Sequence, residues 1–111
     1  GSHNPLGAKA LNNYLETLNC KKHVIIGMMS NKDHNEYMNY FKNISTLTTI
    51  DIPNQPNAIN GEELKNKLNK FPNINYKQTI EEAIKSVPIS NNDIILITGS
   101  LYLAGEVLNL N

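Results

Sequence analysis

The sequence predicts an α/β domain: a three-layer, mostly parallel open sheet with helices on both faces. Two observations carry this expectation. Segments with apolar residues three or four apart alternate with short β-branched runs along the chain. The strongest of those runs, 23–28 and 93–98, are apolar almost throughout rather than alternating in and out. That is the pattern of strands covered on both faces, hence of a parallel sheet between helices. A chain of 111 residues suits one domain with a core of its own.

The elements follow in order. Asn4 can cap a first helix, and Pro5 fits its first position. Leu6, Ala10, Tyr14 and Leu18 recur at a spacing of four and are read as one apolar stripe. The run 23–28 is a buried strand. Asp33, with Glu36 three residues on, resembles a capping box for a helix reaching Phe41. Residues 46–52 are β-branched and stop at Pro53, so they form the second strand. A loop containing Pro53 and Pro56 leads to Asn60 and Glu63, which open a third helix carrying Leu64 and Leu68. Residues 74–76 are a short strand. Thr79 and Glu82 open a fourth helix with Ile80, Ala83, Ile84 and Val87. After a turn at 88–92 comes the strand 93–98. Gly99 and Ser100 then lead into a last helix with Leu101, Ala104 and Leu108 on one stripe. The alternation is Rossmann-like, with no internal repeat and no second domain.

Composition narrows the function classes. Hydrophobic residues make up 40% of the chain, which excludes a disordered segment. Formal net charge is zero, so no basic face is offered to nucleic acid or an anionic membrane. Every basic residue is lysine; the chain has no arginine and therefore no bidentate clamp for phosphate or carboxylate. Asparagine, lysine and isoleucine are heavily used, which is read as coding bias. Cys20 is the single cysteine and cannot form an internal disulfide. No apolar run is long enough for a membrane span, and no signal peptide is visible. A cytoplasmic location is expected.

In open α/β sheets ligands bind beyond the carboxyl ends of the strands. Thr98-Gly99-Ser100 falls there. A glycine lets the backbone turn, and a hydroxyl residue stands where a helix N-terminus would present unpaired N–H groups to an anion. By these residues alone, Ser100 is equally a helix cap, and that is the simpler reading. The run 27–33, Gly-Met-Met-Ser-Asn-Lys-Asp, falls at the same rim. Lys32 offers a point charge, and Asp33 either touches a ligand or caps the next helix. A third motif is Gly1-Ser2-His3-Asn4-Pro5, whose first three residues also match a common tag remnant. His23 and His34 lack metal-ligand spacing, and no G-x-x-x-x-G-K-[ST] phosphate loop or G-x-S-x-G elbow occurs.

Taken together, three motifs resemble folylpolyglutamate synthase and the bifunctional dihydrofolate synthase, within the Mur-ligase-like ATP-dependent amide ligases. They are Gly-Ser-His-Asn-Pro at 1–5, Gly-Met-Met-Ser-Asn-Lys-Asp at 27–33, and Ile-Leu-Ile-Thr-Gly-Ser-Leu-Tyr-Leu-Ala-Gly-Glu-Val at 95–107. They stand in the family's order. In the family an aspartate precedes the first motif, and by the resemblance it would lie one residue before Gly1.

The resemblance implies a C-terminal ligase domain, residues 1–111, from a larger enzyme. An N-terminal ATPase domain of the same chain would hold most of the ATP and Mg contacts. ATP would phosphorylate the carboxylate of folate or dihydropteroate, and the amine of L-glutamate would displace the phosphate. Ser100 and His3 would bind glutamate, His3 and Asn4 would lie beside ATP, and Lys32 and Asp33 would share the rim. An apolar face left exposed for the N-terminal domain is expected too. Two alternatives stay open: a stand-alone α/β binding or interaction module, and the C-terminal domain of another Mur-type amino-acid ligase.

Overall fold

Short parallel strands need crossovers, and the spacing of helices between them dictates a doubly wound sheet. The computed structural model describes residues 5–39, 41–71, 73–90, 92–99 and 106–109. Across these the chain runs α1 (Pro5–Glu16), β1 (Lys22–Gly27), α2 (His34–Asn39), β2 (Thr46–Thr49), α3 (Gly61–Lys67), β3 (Ile74–Tyr76), α4 (Ile80–Ser86), β4 (Ile94–Gly99) and β5 (Glu106–Asn109). The strand order is β3-β2-β1-β4-β5. β1 to β4 are mutually parallel, and β5 lies antiparallel on the β4 edge. The expected mostly parallel α/β architecture is therefore present.

The two central strands are buried along their whole length. Their alternation divides the core. Val24, Ile26, Ile94 and Leu96 face Tyr37, Met38 and Phe41 from α2 and its end, and Leu64 and Leu68 from α3. Ile25, Ile95 and Ile97 face Ala83 of α4 and Val87 beyond its end. Helices thus cover both faces, as expected. Each fully buried aliphatic side chain contributes roughly 1.5–3 kcal/mol relative to exposure.

Helix starts follow the caps read from sequence. Asp33 Oδ1 accepts the Glu36 N–H at 2.9 Å. Asn60 Oδ1 accepts from Glu62 and Glu63, and Thr79 Oγ1 from Glu82. Each satisfies N–H groups that a helix leaves open at its first turn.

Several expectations are corrected. The last helix does not extend to Leu108, because residues 106–109 form β5 and Leu108 pairs with Ile95. Gly105 interrupts the helical pattern, and the open N–H and C=O groups of β4 favour a strand partner. Leu101 and Ala104 lie outside the described residues. On α1 the stripe fails: Ala10 and Tyr14 are exposed, Tyr14 by 53%, while Asn12 is buried. A spacing of four overshoots the helical turn by about 40° per step, so such a row winds off one face. Asn12 instead accepts the Lys42 N–H through Oδ1 at 2.9 Å. Tyr14 is the exposed large apolar side chain among those whose burial is described.

The asparagines also have a structural use. Asn43, Asn54, Asn73 and Asn92 all adopt positive φ, between 56° and 70°. Three of them stand just before β2, β3 and β4, where the turn needs a left-handed residue and asparagine tolerates it best after glycine.

Candidate functional site

The crossovers through α2 and α3 build the sheet outward from β1 in one direction. The crossover through α4 then jumps back to place β4 on the other side of β1. The order reverses between β1 and β4, and in doubly wound sheets a crevice opens there beyond the strand ends. The register sets Gly27 opposite Gly99 at that point.

These glycines are close-packed backbone. Gly99 has φ +131°, a conformation that side-chain-bearing residues rarely adopt, and a Cβ there would overlap the Gly27 carbonyl. A Cβ on Gly27 would meet Ile52 Cγ1 at 2.8 Å. The two strand ends therefore meet main chain to main chain, with no room for a side chain on either glycine.

One lip is the loop from Met28 to Asp33, and it is held at several points. Ser30 donates both its N–H and its hydroxyl to the Asn57 carbonyl, each at 2.8 Å. The Ile59 N–H donates to the Met28 carbonyl at 3.0 Å, and Met29 bridges to Ala58. His34, buried on α2, donates its Nε2–H to the Met29 carbonyl at 2.9 Å. Lys32 is half-buried in this loop and forms no ion pair among the described residues. Asp33 is exposed, with one carboxylate oxygen committed to the α2 cap.

The other lip begins at Thr98. Strand alternation turns its side chain to the face of Ile94 and Leu96, toward α2, where its hydroxyl is hydrogen-bonded to the Tyr37 hydroxyl at 2.5 Å. Both residues are buried. The fold thus brings together the 27–33 motif and the start of Thr98-Gly99-Ser100. Ser100, His3 and Asn4 lie outside the described residues.

The sequence did not point to Tyr37, His34 or the 57–59 segment as parts of this site. A signal for Tyr37 existed: a tyrosine inside an apolar helical row, and a threonine closing an apolar strand, each require a buried partner.

A second feature occupies the far end of the rim. A pocket of about 290 Å³ is lined by Asp51, Pro53, Gln78, Thr79, Ile80 and Glu81. Asp51 accepts the Gly61 N–H at 2.7 Å and the Tyr76 hydroxyl at 2.6 Å. The hydrogen bond to Asp51, then burial, then the carboxylate's charge push the Tyr76 hydroxyl up to about 12. Two carboxylates on this pocket, Asp51 and Glu81, oppose an anionic ligand.

Another polar cluster lies at the opposite end of the strands. His23, at the start of β1, bonds Asp93 Oδ2 at 3.1 Å and Thr46 Oγ1 at 2.9 Å, all within the protein. It is structural. Among the described residues no group of three His, Cys, Asp or Glu side chains is placed to hold a metal ion.

The family model described as the Mur ligase, glutamate ligase domain, matches residues 1–101. The chain belongs to that family. Solved structures agree with this glutamate ligase domain. The folylpolyglutamate synthase of Thermotoga maritima superposes with a TM-score of 0.76 at 26% identity, over 91% of this chain and 24% of that one. That of Mycobacterium tuberculosis, complexed with ADP and AMPPCP, gives 0.74 at 18%, over 88% and 25%. The bifunctional folylpolyglutamate and dihydrofolate synthase of Yersinia pestis, complexed with AMPPNP and Mn, gives 0.72 at 20%, over 88% and 24%. The chain spans about a quarter of the length of these structures. Compared by sequence with curated proteins, it has no match.

Proposed function

We propose that this domain supplies the amino-acid half-site of an ATP-dependent ligase that adds glutamate to folate or dihydropteroate. The observation that carries this is the reversal of strand order between β1 and β4, with Gly27 beside Gly99 at the strand ends, in a glutamate ligase domain. Glutamate presents two carboxylates. With no arginine in the chain, they would be met by main-chain N–H groups at the strand ends, by the Ser100 hydroxyl and by the Lys32 ammonium. Lys32 is suited to this because no carboxylate of the described residues neutralises it. His3 and Asn4 are assigned to the side facing ATP.

ATP would transfer its γ-phosphoryl group to the folate carboxylate, releasing ADP. The glutamate nitrogen would then attack the carbonyl carbon and release phosphate. Nucleotide and magnesium are assigned mainly to an N-terminal domain of the same protein. This chain's part is to bind and orient the amine and, by closing on that domain, to keep water from the activated carboxylate. The setting proposed is the cytoplasm.

The test uses the full-length protein with folate, MgATP and labelled glutamate. Glutamate-dependent ADP release with formation of a glutamylated product is expected. Ser100→Ala should raise the glutamate KM about tenfold, the value of one lost hydrogen bond to a charged group, with the ATP KM within twofold. An unchanged glutamate KM removes Ser100 from the site.

A further inference from the structure

Asn60 is the one asparagine of the chain that is followed by glycine. The pair is chemically labile, because no side chain on Gly61 hinders attack of its nitrogen on the Asn60 side-chain amide. In that reaction the deprotonated Gly61 nitrogen bonds to Asn60 Cγ, and ammonia leaves as a five-membered succinimide closes. Water then opens the ring at either carbonyl, giving aspartate or isoaspartate.

The fold opposes the first step in three ways. Ring closure needs Cβ of Asn60 eclipsed with the Gly61 nitrogen about the Cα–C bond. Asn60 has φ −59° and ψ 135°, which leaves the two far out of eclipse. Its side-chain oxygen is committed to the α3 cap, accepting from the Glu62 and Glu63 N–H groups at 2.9 and 3.4 Å. The Gly61 N–H is held by Asp51 Oδ1 at 2.7 Å, and a carboxylate so close opposes loss of the proton that masks the nucleophile. Asp51 is itself fixed by the Tyr76 hydroxyl at 2.6 Å. The Gly61 carbonyl accepts the Thr49 hydroxyl, also at 2.6 Å, so Gly61 is tied at both main-chain groups. Burial of the amide is not the barrier, since Asn60 is exposed.

We propose that Asn60 is a conformationally gated deamidation site, kept intact while Asp51 holds Gly61 and converted when the loop between β2 and α3 opens. The gate does not depend on the ligase function proposed above. Its two products differ in consequence. Aspartate keeps the main chain and an oxygen suited to the cap. Isoaspartate inserts a methylene into the main chain directly after Ile59, whose N–H holds the Met28 carbonyl of the first lip.

The test uses the full-length protein, aged in mildly alkaline buffer and mapped by peptide mass spectrometry for the amide-to-acid exchange at Asn60. Conversion in native wild-type protein is expected to be at least about tenfold slower than in protein unfolded in urea, since opening must first break the cap and the charge-assisted bond. Asp51→Ala should speed native conversion about fivefold or more. Asp51→Asn, which keeps an acceptor oxygen without the charge, should fall between. In urea both variants should match wild type. Asn12→Ala is the control for general loosening: it removes a buried side chain bonded to the Lys42 N–H and should leave the native rate within about twofold even where it lowers the melting temperature. Equal rates in native and unfolded wild-type protein would overturn the gate without any variant having to fold. A native rate unmoved by Asp51→Ala, or raised as much by Asn12→Ala, would overturn it too. So would a rate slowed by Asp51→Ala, because the carboxylate would then be acting as a base.

Discussion

Gly99→Ala is the sharpest single perturbation of this fold. The substitution meets two separate obstacles. At φ +131° an L-residue is strained, which costs about 1–3 kcal/mol for such a backbone region. The new methyl would also overlap the Gly27 carbonyl, and Gly27 is the register partner of Gly99 between two buried parallel strands. Main chain there cannot swing aside as a side-chain tip can, so β1 and β4 would have to part locally. Overpacking of this kind adds about 1–3 kcal/mol. The sum is about 2–6 kcal/mol, a large share of the about 5–15 kcal/mol that holds a domain together. At about 4–8 °C per kcal/mol, the melting temperature should fall by about 8 °C or more. Gly27→Ala is the internal comparison. Its methyl meets the Cγ1 atoms of Ile52 and Ile50 at 2.8 and 3.3 Å, buried side-chain atoms rather than main chain, and its φ is not in the left-handed region. Only the overpacking cost, about 1–3 kcal/mol, is expected there. Urea unfolding followed by far-ultraviolet circular dichroism measures both. A Gly99→Ala cost below about 1 kcal/mol, or a larger cost for Gly27→Ala, would refute the close-packed glycine pair.

Two further outcomes concern pH. The Tyr76 hydroxyl is raised to about 12 when folded, against 10.0 ordinarily, so its neutral form is favoured in the folded state. Its contribution to stability is complete below pH 10 and is lost as pH rises toward 12. Tyr76→Phe should remove that part of the alkaline decline, and tyrosinate absorbance should lose a group titrating near pH 12. Asp93 is held below its ordinary value of 3.8, first by the Ser90 N–H and then by the His23 hydrogen bond. Its contribution is present above about pH 4 and disappears as pH falls through the lower folded value. Asp93→Asn should flatten the acid limb of a melting-temperature profile below about pH 4, and an unchanged limb would show that Asp93 is not stabilised as described.

Much of the fold was legible because its determinants are local. Asp33, Asn60 and Thr79 cap their helices as the sequence indicates, since a cap depends on residues only two or three positions apart. The apolar runs around Ile25 and Leu96 announce buried parallel strands for the same reason. Where local pattern conflicted with a long-range partner, it failed. Leu108 fits a helical row but lies in a strand paired with β4. Tyr14 fits an apolar stripe but faces solvent, while Asn12 is drawn inward by the Lys42 N–H.

The candidate site divides in the same way. Sequence by itself determined the strand-end motifs at 27–33 and 98–100, because a glycine and polar residues closing an apolar run are visible within a few positions. The tertiary structure alone set the end of the first motif's strand beside the end of the second, Gly27 against Gly99. That depended on α4 carrying the chain back across the sheet to set Gly99 against Gly27, 72 positions away in sequence. It also decided that Tyr37, an ordinary helical tyrosine when read along the chain, reaches Thr98. Hydrogen bonds and backbone contacts of that span are products of topology, and no periodicity within a segment records them.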